Sequence, residues 1–305
     1  MQKTSLSVKI GQLRLENPIM VASGTFGYAK EFKGLTNLKK LGAIITKTIT
    51  IKPRTGNLQQ RLVETSSGII NSIGLQNDGI DCFLKDKLPF LKTLGVPIIV
   101  SIAGNNLEDY VKLAEIINDV EEISAVELNL SCPNIKEKQT LISQDESLTY
   151  DCVFGVRNVY KKTLIAKLTP NVTDVTQIAI AAQDAGADSV SLINTFLAMG
   201  VNIETQKPLL GNITGGLSGP AIKPIALRMV WQVSQKIKIP VIGVGGIMNY
   251  SDALEFIIAG AQAIQVGTAN FVNPNITGEI IDEIKNYLRN KKINDINNLV
   301  GSLKI

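Results

Sequence analysis

At 305 residues, with 45% hydrophobic but only 5% aromatic side chains, the chain is long enough for one large α/β domain with an aliphatic, Val/Ile-rich interior. Its 31 Lys and Arg against 27 Asp and Glu leave a net charge of +4, scattered without a basic tract or an aromatic platform, which gives nucleic-acid binding no support. No apolar run reaches the roughly eighteen residues a membrane span needs, and three cysteines with neither a secretory leader nor Cys-x-x-Cys spacing point to a reducing cytoplasm and no metal site.

Residues 5–10 and 13–16 flank Gly11 and are predicted to form a hairpin that plugs the end of the domain away from the chemistry. Short Val/Ile-rich runs then recur at 18–22, 43–47, 97–102, 125–130, 164–168, 189–193, 241–244 and 263–266. Eight such runs with room for helices between them predict a TIM (β/α)8 barrel, a single domain over residues 1–305. Amphipathic patterns at 106–120, with Asn105 or Asn106 as cap, and at 173–185, ending at Gly186, are predicted outer helices. Gly186 and Gly260 stand where a helix closes directly into a strand.

Two connections, 48–97 and 195–219, are far longer than a barrel needs. Both leave the carboxyl ends of predicted strands, the face where barrel enzymes place their chemistry. They are expected to lay extra β-structure over the barrel mouth, with small strands at 49–51, 61–64, 201–204 and 209–211.

The chain contains no histidine, so proton transfer near neutral pH falls to a thiol, carboxylate, lysine, tyrosine or water. Cys132 follows the strand-like run 127–130 and precedes Pro133, which favours a loop at a strand end and makes it the leading base candidate. A free cysteine more often packs as a small hydrophobe, and that is the reading for Cys82 and Cys152, both inside helical patterns. Gly245 and Gly246 follow the seventh run, and Gly267 and Thr268 follow the eighth. As a pair these loops are where barrels bind phosphate; either alone is also a simple tight turn.

Lys47 and Lys167 lie near strand ends among apolar neighbours and need anionic partners. A reduced flavin, a carboxylate substrate, a phosphate or a structural ion pair with Glu127 all qualify. Asn71, Asn77, Asn129 and Asn194 each present an acceptor and two donors, a match for the alternating edge of a pyrimidine or imide ring. Any one of them taken alone is more often a turn former.

These motifs, in order, resemble the dihydroorotate dehydrogenases, and within them the type 1B catalytic subunits, over essentially the whole chain. The resemblance rests on the runs 21–27, 46–48, 71–77, 129–134, 166–171, 193–195 and 215–220, together with the two glycine loops. It implies an FMN-containing TIM barrel that oxidises dihydroorotate to orotate in pyrimidine synthesis, the cysteine removing a ring-carbon proton while hydride passes to the flavin. Carried over by position, Ser23, Lys47, Thr48, Asn129, Lys167, Ile193, Gly219, Gly245, Gly246, Gly267 and Thr268 contact FMN. Lys47, Asn71, Ile73, Gly74, Leu75, Asn129, Asn194 and Thr195 surround the substrate, and Cys132 is the base.

Two departures from the family pattern stand out: Ser101 occupies the place of an FMN-contacting asparagine, and 135–140 is charged where glycines are usual. Type 1B further implies a homodimer joined to a separate subunit carrying FAD and a 2Fe–2S cluster that passes electrons to NAD. The alternatives are a type 1A homodimer reducing fumarate and a flavin-binding scaffold without turnover.

Overall fold

The computed structural model describes residues 4–131 and 141–305. Eight strands close a barrel: β1 (Ile19–Val21), β2 (Ala43–Ile45), β3 (Ile98–Ile102), β4 (Ile123–Asn129), β5 (Thr163–Lys167), β6 (Ser189–Leu192), β7 (Val241–Val244) and β8 (Ala261–Val266). They follow one another around the barrel in chain order, each parallel to its neighbours, and β8 returns to β1 with Val266 opposite Val21. Every predicted run forms a strand. β4 and β8 begin two residues ahead of the predicted runs, at Ile123 and Ala261. Nearly all their residues are buried, as expected of parallel strands covered by helices outside and by side chains within.

The predicted outer helices span Leu107–Asn118 and Val175–Asp184. Asn106 is the cap of the first, its Oδ1 accepting from Asp109 N–H at 2.9 Å, and Asp174 caps the second by accepting from Thr176 N–H at 2.8 Å. Gly186 (φ 97°) and Gly260 (φ 123°) turn the chain out of helices with the left-handed backbone that only glycine adopts cheaply. The N-terminal hairpin pairs Val8–Ile10 with Leu13–Leu15. Its turn lies at the N-terminal end of β5, where Gln12 N–H donates to Thr163 Oγ1 at 3.2 Å.

The long connections build one sheet between them. Its order is Phe196–Met199, Thr214–Ser218, Gly68–Asn71, Leu62–Thr65, all antiparallel, with Gly216 opposite Asn71. Val201–Asn202 and Lys207–Pro208 add a short ribbon. Two of the small predicted strands do not form as such. Residue 49 makes only a single bridge, to Ile102, and 209–211 is a connection whose Gly211 N–H donates to Gln60 O. Ile49 instead joins the barrel core beside β3, and Leu210 is buried against Gly215 of the added sheet.

Candidate active site

Polar side chains collect at the C-terminal ends of the strands. Glu127 and Asn129 lie two apart on β4 and so leave it on the same face. Glu127 reaches β5, β6 and β8, which places it inside the barrel. Its Oε1 lies 3.5 Å from Lys167 Nζ, and its Oε2 accepts from Ser191 Oγ at 3.0 Å and from Gln265 Nε2 at 2.5 Å. Lys167 Nζ also donates to Gln265 Oε1 at 3.1 Å and to Ser23 Oγ at 3.3 Å. Glu127 is fully buried and Lys167 nearly so. Charges so placed persist only when paired and hydrogen-bonded, and both conditions hold. Of the partners expected for Lys167, the structural ion pair with Glu127 is present. Lys47, half-buried just past β2, makes no side-chain hydrogen bond or ion pair among the described residues.

A chain of hydrogen bonds crosses the mouth from β3 to β6. Ser101 Oγ and Thr48 Oγ1 are 2.9 Å apart, Asn129 Nδ2 donates to Thr48 Oγ1 at 3.3 Å, and Asn194 Nδ2 donates to Asn129 Oδ1 at 3.3 Å. Tyr110 Oη donates to the Asn129 carbonyl at 2.8 Å and anchors the end of β4. Asn194 Oδ1 in turn accepts from Thr195 N–H at 2.8 Å. Asn71 joins from the added sheet, donating to Gly216 O at 3.1 Å; a Cβ built on Gly216 would lie 2.0 Å from Thr195 Oγ1. Ile73, Gly74 and Leu75 form the turn beyond Asn71, with φ of 72° and 53° at the last two.

Asn77 does not belong to this group. Its Oδ1 accepts from Thr50 and Gly79 N–H and its Nδ2 donates to Thr50 Oγ1 and Leu75 O, so its amide is consumed in holding the loop. Ser101, short and fully buried, is spent on Thr48 and on Thr46, whose Oγ1 accepts its N–H.

Cys132 lies outside the described residues. Leu130 and Ser143, on either side of it, are joined by Ser143 N–H donating to Leu130 O at 3.1 Å, beside the end of β5. Ser131 Oγ is buried without a partner among the described residues. Burial pushes the Cys152 thiol up to about 12. Desolvation and the hydrogen bond to Asp86 raise that of Cys82. Neither is a thiolate near neutral pH.

Three loops meet at the ends of β6, β7 and β8. A Cβ on Gly219 would fall 2.8 Å from Gly68 Cα; on Gly245, 2.8 Å from Ala226 Cβ; on Gly246, 2.7 Å from Lys223 Cβ and 2.9 Å from Gly219 O. All three glycines have positive φ. Thr268 Oγ1 donates to Ser218 Oγ at 2.8 Å, and Ile193 N–H donates to Val244 O at 3.0 Å, tying the loops together. Gly267, by contrast, has ordinary φ, and a Cβ there would meet Ala22 and Thr25 at ordinary contact distance, 3.6 Å or more. The three loops thus close on one another at positions that only glycine fills, in the part of the rim where barrels commonly bind phosphate. The short helix Ala269–Val272 follows directly.

The motifs did not mark several residues that hold these loops. Lys223 Nζ bonds Asp252 Oδ1 at 2.6 Å and Glu255, and Asp252 Oδ2 accepts from Met248 N–H at 2.9 Å, so one carboxylate fixes both the β7 loop and the helix after Gly219. Gln265 and Ser191 were legible only as polar residues in otherwise apolar strands.

Fold and rim together define a TIM barrel whose polar side chains gather at the C-terminal ends of the strands, the face where barrel enzymes place their chemistry. A family model described as dihydroorotate dehydrogenase matches residues 5–288. The chain is 52% identical over 305 residues to a protein of Geobacter sulfurreducens named dihydroorotate dehydrogenase B (NAD(+)), catalytic subunit, covering all of both chains. Proteins of the same name from Bacteroides thetaiotaomicron (50% over 300 residues, 98% of this chain and 99% of the relative) and Caldicellulosiruptor bescii (51% over 301 residues, 99% and 100%) are similar. The chain belongs to the dihydroorotate dehydrogenase family and is an oxidoreductase.

Proposed function

We propose that this chain is the FMN-bearing catalytic subunit that oxidises dihydroorotate to orotate, acting in the cytoplasm as one domain over residues 1–305. The observation that carries this reading is the meeting, at one rim of the barrel, of a cluster of tightly packed glycines, a buried lysine and a hydrogen-bonded row of hydroxyls and amides. Gly219, Gly245, Gly246, Gly267 and Thr268 would hold the FMN phosphate. Ser23, Lys47, Thr48, Asn129, Lys167 and Ile193 would line its ring system. Bound FMN supplies a two-electron acceptor.

The protein's own residues do the rest. Asn129 and Asn194, aligned by Thr48 and Tyr110, present amides to the substrate's imide edge, with Asn71, Thr195 and the turn Ile73–Gly74–Leu75 closing around it. Lys47, with no partner among the described residues, is free to meet the substrate carboxylate. Cys132 as thiolate accepts the ring-carbon proton, a role that its two fellow cysteines are too poorly ionised to fill. Electrons then leave through a partner subunit with FAD and a 2Fe–2S cluster to NAD, in a complex built on a homodimer of this chain. The relatives' shared name, a catalytic subunit linked to NAD, supports that arrangement.

The test is anaerobic mixing of the purified, flavin-loaded chain with dihydroorotate, followed by acceptor assays. Bleaching of the flavin with negligible NAD reduction until the partner is added is the expected result. Absence of bleaching overturns the reading, and rapid fumarate reduction by the chain alone moves it to the type 1A enzyme.

A further inference from the structure

Glu127 has no part in the roles assigned above to phosphate, substrate or proton transfer, yet it is the most deeply buried carboxylate among the described residues. Its side-chain partners are Lys167, Gln265, which also bonds Lys167, and Ser191. Gln265 is the bridge: its Nε2 donates to Glu127 and its Oε1 accepts from Lys167 Nζ. An amide donates only at nitrogen and accepts only at oxygen, so a carboxylate on one side and an ammonium on the other hold it one way round. Ser191 supplies a second donor to the same carboxylate oxygen.

The Lys167 ammonium is thereby drawn from below by Glu127 and Gln265, while Ser23, in the loop after β1, takes its remaining hydrogen bond at the mouth. A cation with an anion 3.5 Å behind it projects a weaker field into the mouth than a lone cation does.

We propose that Glu127 is a positioning residue that fixes the Lys167 ammonium and offsets its charge, and so sets the reduction potential of a flavin seated against Lys167 below the value that the lysine alone would confer. This rests on the placement of FMN at Lys167 argued above. Reduction places negative charge on the flavin. Lys167 favours that charge and Glu127 opposes it, so removing the carboxylate raises the potential.

The experiment is a redox titration of the flavin-loaded chain and its variants Glu127→Gln, Glu127→Asp, Lys167→Met and the Glu127→Gln/Lys167→Met pair, with flavin content read from the absorbance ratio. Glu127→Gln is expected to raise the potential by about tenfold in the reduction equilibrium, ~30 mV for a two-electron couple. Glu127→Asp, which keeps the charge but withdraws it by one methylene, shifts it less in the same direction, and it carries the decision if Glu127→Gln does not accumulate or Lys167→Met loses its flavin. Lys167→Met lowers the potential. In that background Glu127→Gln adds little, because the ammonium that the carboxylate positions and offsets is gone.

Unchanged potentials in both Glu127 variants, with Lys167→Met shifted, overturn the proposal alone. So does a negative shift, or a Glu127→Gln shift that persists undiminished without Lys167. An unchanged potential in Lys167→Met, with flavin still bound, overturns the placement of FMN and the proposal with it.

Discussion

The two halves of the rim are built by different means. At the ends of β6, β7 and β8 the site is backbone: Gly219, Gly245 and Gly246 bring three loops so close that no side chain fits. At the ends of β2, β4 and β6 it is side chain: Thr48, Asn129 and Asn194 present polar atoms in a hydrogen-bonded row. A phosphate asks for N–H groups and room, which glycine loops provide whatever their sequence neighbours. A substrate ring asks for particular donors and acceptors, which only side chains vary. One half therefore ought to govern whether cofactor is held and the other how fast substrate reacts.

Substitutions can break that division. Cys132→Ser has the largest expected effect: flavin is retained while its reduction by dihydroorotate slows by roughly 10²–10⁴, the range for loss of a positioned base. Stopped-flow measurement on the flavin-loaded variant checks it, and wild-type rates would remove Cys132 from the chemistry. In the wild-type chain the same rate should climb as pH rises toward the ordinary thiol value of about 8.5, and no histidine exists to add a second inflection.

Gly246→Ala strikes the other half. The new Cβ meets Lys223 Cβ at 2.7 Å in a backbone of φ 71°. Strain and overpacking of about 3 kcal/mol together should weaken FMN binding on the order of a hundredfold. Flavin content after dialysis reads it directly, and full retention would deny the glycine loops their role.

Asn129→Ala sharpens the comparison. It removes the middle of the row, leaving Thr48 and Asn194 without their shared partner. A loss of about 1–3 kcal/mol is expected in kcat/KM for dihydroorotate, with flavin content changed much less.

Lys223→Met has the smallest effect and tests what supports the glycine loops. Burial alone would lower the Lys223 pKa, but hydrogen bonds to Asp252 and Glu255 outweigh it and the net shift is upward. A raised lysine contributes stability that is fully present below its unfolded value and is lost as pH rises through the folded one. The melting difference between variant and wild type, worth about 1 kcal/mol, should thus be constant across neutral pH and fade only in strongly alkaline solution. A difference that grows with pH would contradict that assignment.

Much of this was legible along the chain. Eight aliphatic runs declared the barrel because parallel strands buried on both faces need uninterrupted apolar stretches, and Gly186 and Gly260 marked helix ends because φ above zero is costly for other residues. A lysine within a buried strand demanded an anion, and Glu127, the carboxylate in the neighbouring strand, answered it. The strand and helix-end signals are local demands, recorded within a few residues of where they act, whereas the lysine's partner lies 40 residues away.

What the tertiary structure alone decided is which distant groups meet. Gly68–Asn71 pairs with Thr214–Ser218 across more than a hundred residues, and neither stretch alternates clearly enough to announce a strand. Asn77 and Asn129 look alike in sequence, yet one spends its amide on its own loop and the other opens toward the mouth. Hydrogen-bonding capacity belongs to the residue, but whether it is left over for a ligand depends on neighbours that only the closed barrel brings within reach.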